Sequence, residues 1–427
     1  MTLMTTPLRH LAQVRVSNVD KKSVDGQRAV SLCNYTDVYY SATITRATEF
    51  MPATATAGQI RDFALRAGDT LITKDSETAD DIGVAAYVVE DLPGVLCGYH
   101  LALIRPRPGT HGRYLSWAVQ SDLVRGQWEV SATGVTRYGL NYGAIRGTAI
   151  PTHPLVVQRR IADFLDDQIT RIDGLVAARS EMIALAHERA ASLIQSLVLG
   201  RVDREVRTQP SGPVLPAPAG WATRRNKTFL KEIADLSETG TEEMLTVSHL
   251  TGVTPRSEKT VYMFEAETKE GYKRVRPGDL VVNTLWAWMG ALGVTQASGI
   301  VSPAYGVYRF TDPNCVPEYF DALFRSRAYV TEMTRYSKGV WTSRLRLYPE
   351  SFLSLRSPFP PREDQLNIAN EVSTIKTKRD TMCGPLARSL ELLKERKRSL
   401  ITAAVTGEFD VSSASSRAAD VVLEGVG

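Results

Sequence analysis

The chain has 427 residues, 43% apolar and 23% charged, which fits a globular protein of several domains and excludes global disorder, a collagen-like repeat and a disulfide-dense scaffold. Fifty-one Lys and Arg against 47 Asp and Glu leave a formal charge of +4, so affinity for a polyanion would have to come from local patches. Cys33, Cys97, Cys315 and Cys383 form no C-x-x-C pair, apolar runs are too short for a membrane span, and Arg9, Arg15 and Asp20 interrupt the start, so no zinc site, span or signal peptide is expected and the reading is cytoplasmic.

Residues 1–150 mix short β-type runs, such as 83–89, with Gly/Pro turns and read as an α/β domain. Basic and aromatic residues interleave near its end: Arg137, Tyr138, Asn141, Tyr142 and Arg146. Arg neutralises phosphate and can pair twice with guanine, Asn can pair with adenine, and rings pack on sugars or bases, so the mixture suits DNA. A solvated turn with half-buried rings is the alternative. Lys74, just beyond the Gly68-Asp69 turn, is a candidate for a second contact loop. Asp80-Asp81 and Asp166-Asp167 could in principle hold a metal, although the second pair reads as a solvated helix face.

Residues 151–202 read as a first long helix, with Leu165, Ile169, Ile172, Val176, Arg179, Ile183, Ala186, Ala190, Leu193 and Leu197 at 4-3-4-3 spacing. A Pro-rich linker at 203–220 leads into a second α/β domain at 221–358, with a strand expected at 279–284 and a helix at 317–329. Its basic and aromatic residues are Lys338, Trp341, Arg344, Arg346 and Tyr348, again a DNA-suited mixture. Trp286 and Trp288 follow the Gly278-Asp279 turn and could be contact residues or core. Residues 359–410 read as a second long helix with a weaker seam through Ile368, Val372, Ile375, Arg379, Met382, Leu386, Ser389, Leu393, Arg396 and Leu400; Gly384-Pro385 should kink or split it, and 411–427 reads as a frayed tail.

The two long helices belong to an internal repeat at an offset of 207 residues. Pro154, Gln158, Ile161 and Ala162 match Pro361, Gln365, Ile368 and Ala369, and further on Ser192, Leu193, Ile194, Val198, Gly200 and Asp203 match Ser399, Leu400, Ile401, Val405, Gly407 and Asp410. Fainter echoes link Arg66–Ile72 to Arg276–Val282 and Gly134-Val135 to Gly339-Val340. A helix of about 45 residues would run about 65–70 Å, too long to bury inside one domain, so the two stripes are expected to pack on each other, with Gln158, Ile161, Leu165, Ile169, Ile172, Val176, Gln365, Ile368, Val372, Leu393 and Leu400 at the helix or partner interface. The fold class is therefore α+β: two α/β domains separated by two long helices packed on each other in an internal repeat.

Recognisable catalytic chemistry is missing. There is no Gly-Lys dipeptide for a P-loop, no G-x-G-x-x-G, no H-E-x-x-H, and no Asn/Asp-Pro-Pro-aromatic turn, Asp312-Pro313-Asn314-Cys315 being the nearest string. A chain of this length without such a set reads as one that binds and positions.

With the repeat established, the sequence resembles the specificity subunits of type I restriction-modification systems over nearly its whole length. The residues that carry the likeness are Val30-Ser31-Leu32-Cys33-Asn34-Tyr35-Thr36-Asp37-Val38-Tyr39, the Pro-x-x-x-Gln-x-x-Ile-Ala blocks at Pro154 and Pro361, and the stretch from Leu393-Lys394-Glu395-Arg396-Lys397-Arg398 to Thr406-Gly407. The resemblance implies that 1–150 and 221–358 are target recognition domains, each reading one half of a split double-stranded DNA site, and that the helices form an antiparallel coiled coil, in a pseudo-two-fold repeat, that spaces the domains and docks two methyltransferase subunits. It implies a non-catalytic chain that binds no cofactor, with S-adenosylmethionine, ATP and Mg held by partner methyltransferase and restriction/translocase subunits. Val157 and Asp364 depart from the Glu expected before each Gln, and only Asp364 keeps the charge. A stand-alone nuclease using Asp80 and Asp81, and a coiled-coil scaffold without DNA binding, are the competing readings.

Overall fold

The structure is a computed structural model that describes residues 4–200, 215, 217–258, 268–341, 344–409 and 411. Most of the expected linker (203–214 and 216) and the tail beyond 411 lie outside the described residues. The chain divides into two compact units, residues 1–180 with 388–427, and residues 181–387. Each unit thus contains one α/β domain and one end of each long helix.

In the first unit a five-stranded sheet runs in the order Ala12–Val16, Leu101–Pro106, Thr70–Thr73, Ala85–Val88, Thr43–Ile44, antiparallel except at the last pair. Successive side chains of a strand point to opposite faces, and here both faces are buried. Ile72, Ala102 and Ile104 enter a core with Trp117, Trp128 and the long-helix residues Ile161 and Leu165, whereas Leu71, Leu101 and Leu103 enter a second core with Leu32, Cys33 and Cys97 of a three-stranded sheet. Unbroken apolar runs such as Leu101–Ile104 are the sequence trace of a strand buried on both sides. The 83–89 run forms the strand Ala85–Val88, and Gly83 before it has φ +80° with Trp128 packed where a Cβ would stand.

The second unit repeats the design with a four-stranded sheet in the order Leu230–Glu232, Tyr305–Phe310, Leu280–Asn283, Leu292–Val294. Leu280 and Val282 face an aromatic core with Phe229, Tyr319, Phe320 and Phe324, while Val281 faces a smaller one with Val307. The helix expected at 317–329 is two helices, Pro317–Phe324 and Arg327–Tyr336, because the Ser326 hydroxyl accepts a hydrogen bond from Tyr329 N (3.4 Å) and caps the second before the first can continue. Asn226 is buried with its amide satisfied: it donates to Tyr329 Oη (2.8 Å) and to the Phe352 carbonyl (2.9 Å), and its oxygen accepts from Ser357 Oγ (2.6 Å).

The long helices are Leu155–Val198 and Arg362–Thr406. Each follows a proline, Pro154 or Pro361, and is stopped by a glycine in the left-handed region, Gly200 (φ +80°) or Gly407 (φ +77°). Their pairing is antiparallel: in the first unit His153 meets Val405, Asp173 meets Lys397 and Arg179 donates to Ser389, so one number rises as the other falls. Ile161, Leu165, Ile169 and Ile172 share a core there with Leu393, Ile401, Ala404 and Val405, and Val176 and Leu400 pack on its edge. In the second unit Leu197 and Val198 share a core with Ile368 and Val372.

The seam departs from strict heptads. Leu193 and Met382, both expected inside, are largely exposed, while their successors Ile194 and Cys383 turn inward; Ile401 is likewise more buried than Leu400. A straight helix has 3.6 residues per turn and drifts by about 20° per heptad, which moves the facing position on by about one residue over roughly five heptads. The second helix is not split at Pro385 either. The ring frees the carbonyl of Thr381, and both residues lie on the solvent side, where water can satisfy it.

Candidate nucleic-acid interface

In each unit the candidate site hangs from a central strand that begins at a Gly-Asp turn. The buried Asp69 carboxylate accepts the Arg66 backbone N–H (2.9 Å) and two hydrogen bonds from Arg105, Nε at 2.8 Å and Nη2 at 2.6 Å. The buried Asp279 repeats this with Arg276 N (3.1 Å) and Arg309, Nε at 2.7 Å and Nη2 at 2.7 Å. Gly68 and Gly278 make the turns at φ +90° and +89°. Two parallel donors on one carboxylate fix direction as well as distance, so both strands leave their turns in the same way.

At the far end of each strand a backbone carbonyl receives the surface loop that carries the candidate residues. Lys74 O accepts Leu140 N (2.8 Å), and Thr284 O accepts Leu347 N (2.9 Å). Immediately before Leu140, Thr133 and Gly139 exchange two backbone hydrogen bonds (3.2 and 2.9 Å); before Leu347, Lys338 and Arg346 do the same (2.9 and 2.9 Å). Both loops close over a glycine. A Cβ on Gly134 would overlap the Arg137 carbonyl, and one on Gly339 would stand 2.6 Å from the Arg344 carbonyl oxygen. After each loop a short helix starts, Tyr142–Gly147 from Asn141 and Pro349–Ser354 from Tyr348. Arg137 and Arg344 are therefore counterparts, as are Val135 and Val340, although the second loop is two residues longer.

The structure gathers the basic and aromatic residues at these loops but uses them unequally. Arg137, Lys338, Trp341, Arg344 and Arg346 are exposed, and Tyr138 is half-buried in a bridge to Asp75–Ser76. Arg146 lies over the Tyr142 ring (5.0 Å), and Arg346 over the Tyr348 ring (5.4 Å). The Asn141 amide oxygen is occupied, accepting Ala144 N (2.8 Å) as a helix cap, which leaves its NH₂ outward. Lys74 is mostly buried and ion-paired to Asp75 (2.7 Å), which also meets His100 Nδ1 (2.7 Å). Burial would raise the Asp75 carboxyl, but the bonds from Lys74 and His100 outweigh it and hold the group below the ordinary carboxylate value. Trp286 is half exposed, whereas Trp288 is partly buried and donates to Leu285 O (3.0 Å).

Two features escaped the sequence reasoning. Val135 and Val340 are recognisable as an echo but carry no chemistry a motif search would value. Beside the first loop, Tyr35 and Tyr39 stack (centroids 5.4 Å), and Tyr39 donates to Asp81 (2.8 Å), a bond that pushes its hydroxyl up to about 12. Asp81 is thereby engaged, and among the described residues no three His, Cys, Asp or Glu come together as a metal site. Asp166 is also engaged, accepting Arg113 Nε (2.6 Å) and Trp117 Nε1 (2.9 Å), and ties helix to domain, while Asp167 is exposed on the helix face as expected. Burial pushes the Cys315 thiol up to about 12 and raises Cys33 and Cys97 further, so these thiols are inert.

The paired glutamines turn out to be clamps. Gln158 accepts His111 N (2.8 Å) and donates to His153 O (2.8 Å), and Gln365 accepts Val316 N (2.9 Å) and donates to Pro360 O (2.9 Å), each fastening its domain to the start of its long helix. Among the cations at 376–398, Lys376, Arg379, Lys394, Lys397 and Arg398 are already ion-paired. No helix among the described residues is long and apolar enough to cross a membrane.

No family model and no curated protein matches this sequence. Solved structures do. A chain from a structure concerning complex assembly and conformational transition of the type I R-M system is 17% identical with a TM-score of 0.64, over 96% of this chain and 100% of that one. The HsdS subunit from Thermoanaerobacter tengcongensis is 18% identical with a TM-score of 0.43, over 95% and 97%. The type I restriction-modification S subunit from M. genitalium is 9% identical with a TM-score of 0.37, over 95% and 96%. At 17% identity the first likeness shows the fold alone, which this chain shares with that one over 96% of its length.

Proposed function

We propose that the chain is the DNA-specificity subunit of a type I restriction-modification complex, itself without catalysis, in which each unit reads one half of a bipartite target. The observation that carries this reading is the duplicated loop: two surface loops of different sequence, closed by equivalent bridges, hung from equivalent strands, each presenting an arginine (Arg137, Arg344) beside aromatic residues. A pair of basic readers in one chain matches a target of two short blocks, with arginine supplying both phosphate attraction and a two-bond contact to guanine. The long helices, built into both units, are the spacer between the readers, and their exposed apolar residues Val156, Met182, Leu185, Leu366 and Leu392 offer surface to two methyltransferase subunits. S-adenosylmethionine, ATP and Mg belong on those partners and on the restriction subunits.

The test is co-expression with the methyltransferase partner, followed by sequencing of modified sites. A two-block motif is expected, and replacing residues 1–150 by the corresponding region of a relative should change one block only. Cleavage or methylation by the purified chain alone would favour an enzyme with an unrecognised site; no duplex binding by the assembled complex at low salt would favour a scaffold.

A further inference from the structure

We propose that Val135 and Val340 are specificity residues that read thymine, each packing its isopropyl group against the 5-methyl of one thymine in the half-site its unit recognises. The inference rests on the DNA-reading role proposed above and adds to it an apolar contact.

Val135 is 98% exposed and Val340 94%, the two highest values for any large apolar side chain among the described residues. A single exposed valine is ordinary. Two at the same station of a duplicated loop are not, because the loops otherwise differ in length and sequence: each valine follows the glycine over which its loop closes, and it is that glycine which faces the carbonyl of Arg137 or Arg344. The glycines explain why the loops are tight, yet nothing in the fold calls for an apolar residue next to them, since neither valine is buried by its own unit.

The flanking guanidinium groups fix the kind of occupant as a polyanion. On the edges of base pairs in the major groove the features are hydrogen-bond donors and acceptors, the small C5–H of cytosine, and one methyl group, that of thymine. An isopropyl group gains most from that methyl, the largest apolar feature there. A β-branched side chain suits the task, because its stiff χ1 leaves little rotamer freedom to lose on contact. Arginine and valine on opposite legs of one tip then form a two-part reader, one part polar and one apolar.

The test uses the complex of the full chain with its methyltransferase partner and duplexes in which each thymine of the target is replaced singly by deoxyuridine, which lacks only that methyl. In the wild-type complex one thymine per half-site should show about fourfold weaker binding on replacement, the worth of one buried methyl. V135A should abolish the sensitivity in one half-site and V340A in the other, with melting temperatures unchanged because neither side chain packs on its unit. Sensitivity that survives in both variants, or a target with no methyl-dependent thymine, overturns the inference while leaving the DNA-reading role intact. Absence of sequence-specific binding by the wild-type complex overturns that role and this inference with it.

Discussion

The glycines at the loop necks offer the most stringent perturbation of the candidate interface. In Gly339→Ala the new methyl would stand 2.6 Å from the Arg344 carbonyl oxygen and 3.1 Å from Leu345 Cα, and in Gly134→Ala it would overlap the Arg137 carbonyl. Both neighbours are backbone, so neither can rotate away, and the leg of the loop must swing out. That breaks the two backbone hydrogen bonds of the bridge, at a net cost of about 1–3 kcal/mol. The cost is local, since the loops lie outside the cores, and at about 2–4 °C per kcal/mol for a unit of about 200 residues the melting temperature should fall by about 2–12 °C. Recognition should suffer more: the arginine and valine of the tip lose their common frame, and forfeiting one two-bond base contact weakens binding by about 5–150-fold. Binding of each variant complex to duplexes with one or the other half-site scrambled separates the effects. Gly134→Ala should become insensitive to scrambling one half-site and Gly339→Ala to scrambling the other. Wild-type affinity in either variant, or equal loss of discrimination at both half-sites, would refute the assignment of one loop to one half-site.

Three further outcomes follow from the fold. Pro385→Ala restores an N–H within an unbroken helix at an exposed position and should stabilise the chain by about 1–3 kcal/mol, read as a rise in the denaturant midpoint; destabilisation would show that the helix depends on a local bend there. Gln365→Leu leaves the Val316 N–H and the Pro360 carbonyl without partners in a buried setting and should cost about 1–3 kcal/mol for each group, with Gln158→Leu behaving alike in the first unit; neutral variants would mean the clamps are ornamental. Because the Asp75 carboxyl is held below its ordinary value, its stabilisation is fully present above about pH 4 and is lost as the pH falls through the lower folded value. Amide exchange at Lys74 and Ser76 should accelerate over that acid range in the wild type and lose the dependence in Asp75→Asn.

How far the sequence carries the reader depends on whether a feature is local or assembled. The long helices are legible because periodicity, an entering proline and a closing glycine coincide twice, at Pro154 and Gly200 and at Pro361 and Gly407. The seam is legible only in outline, since 4-3-4-3 counting presumes an exact seven-residue repeat that a helix of 3.6 residues per turn does not keep, and so Leu193 and Met382 are misplaced in favour of Ile194 and Cys383. Gln158 and Gln365 stand out as a motif, but their partners His111 and Val316 lie 47 and 49 residues away, so a clamp looks like a contact surface until the domain folds back. The DNA candidates divide for the same reason: Arg137 and Arg344 are exposed in the loops, whereas Lys74 is ion-paired to its neighbour Asp75, which also meets His100, a residue that only the fold brings there. Val135 and Val340 lack any chemical signal in sequence, and their meaning lies in exposure.

The central claim is that two readers are held at a set separation by helices continuous through both units. It is tested most directly by inserting seven residues into each long helix, after Ser180 and after Ala387, and sequencing the modified sites in cells that also carry the methyltransferase partner. Seven residues add about 10 Å of helix, or about three base pairs of duplex. The account predicts that both blocks keep their base sequences while the unread interval between them lengthens, or that modification is lost because the readers no longer reach their blocks together. An unchanged motif, modified as fully as before, would contradict it.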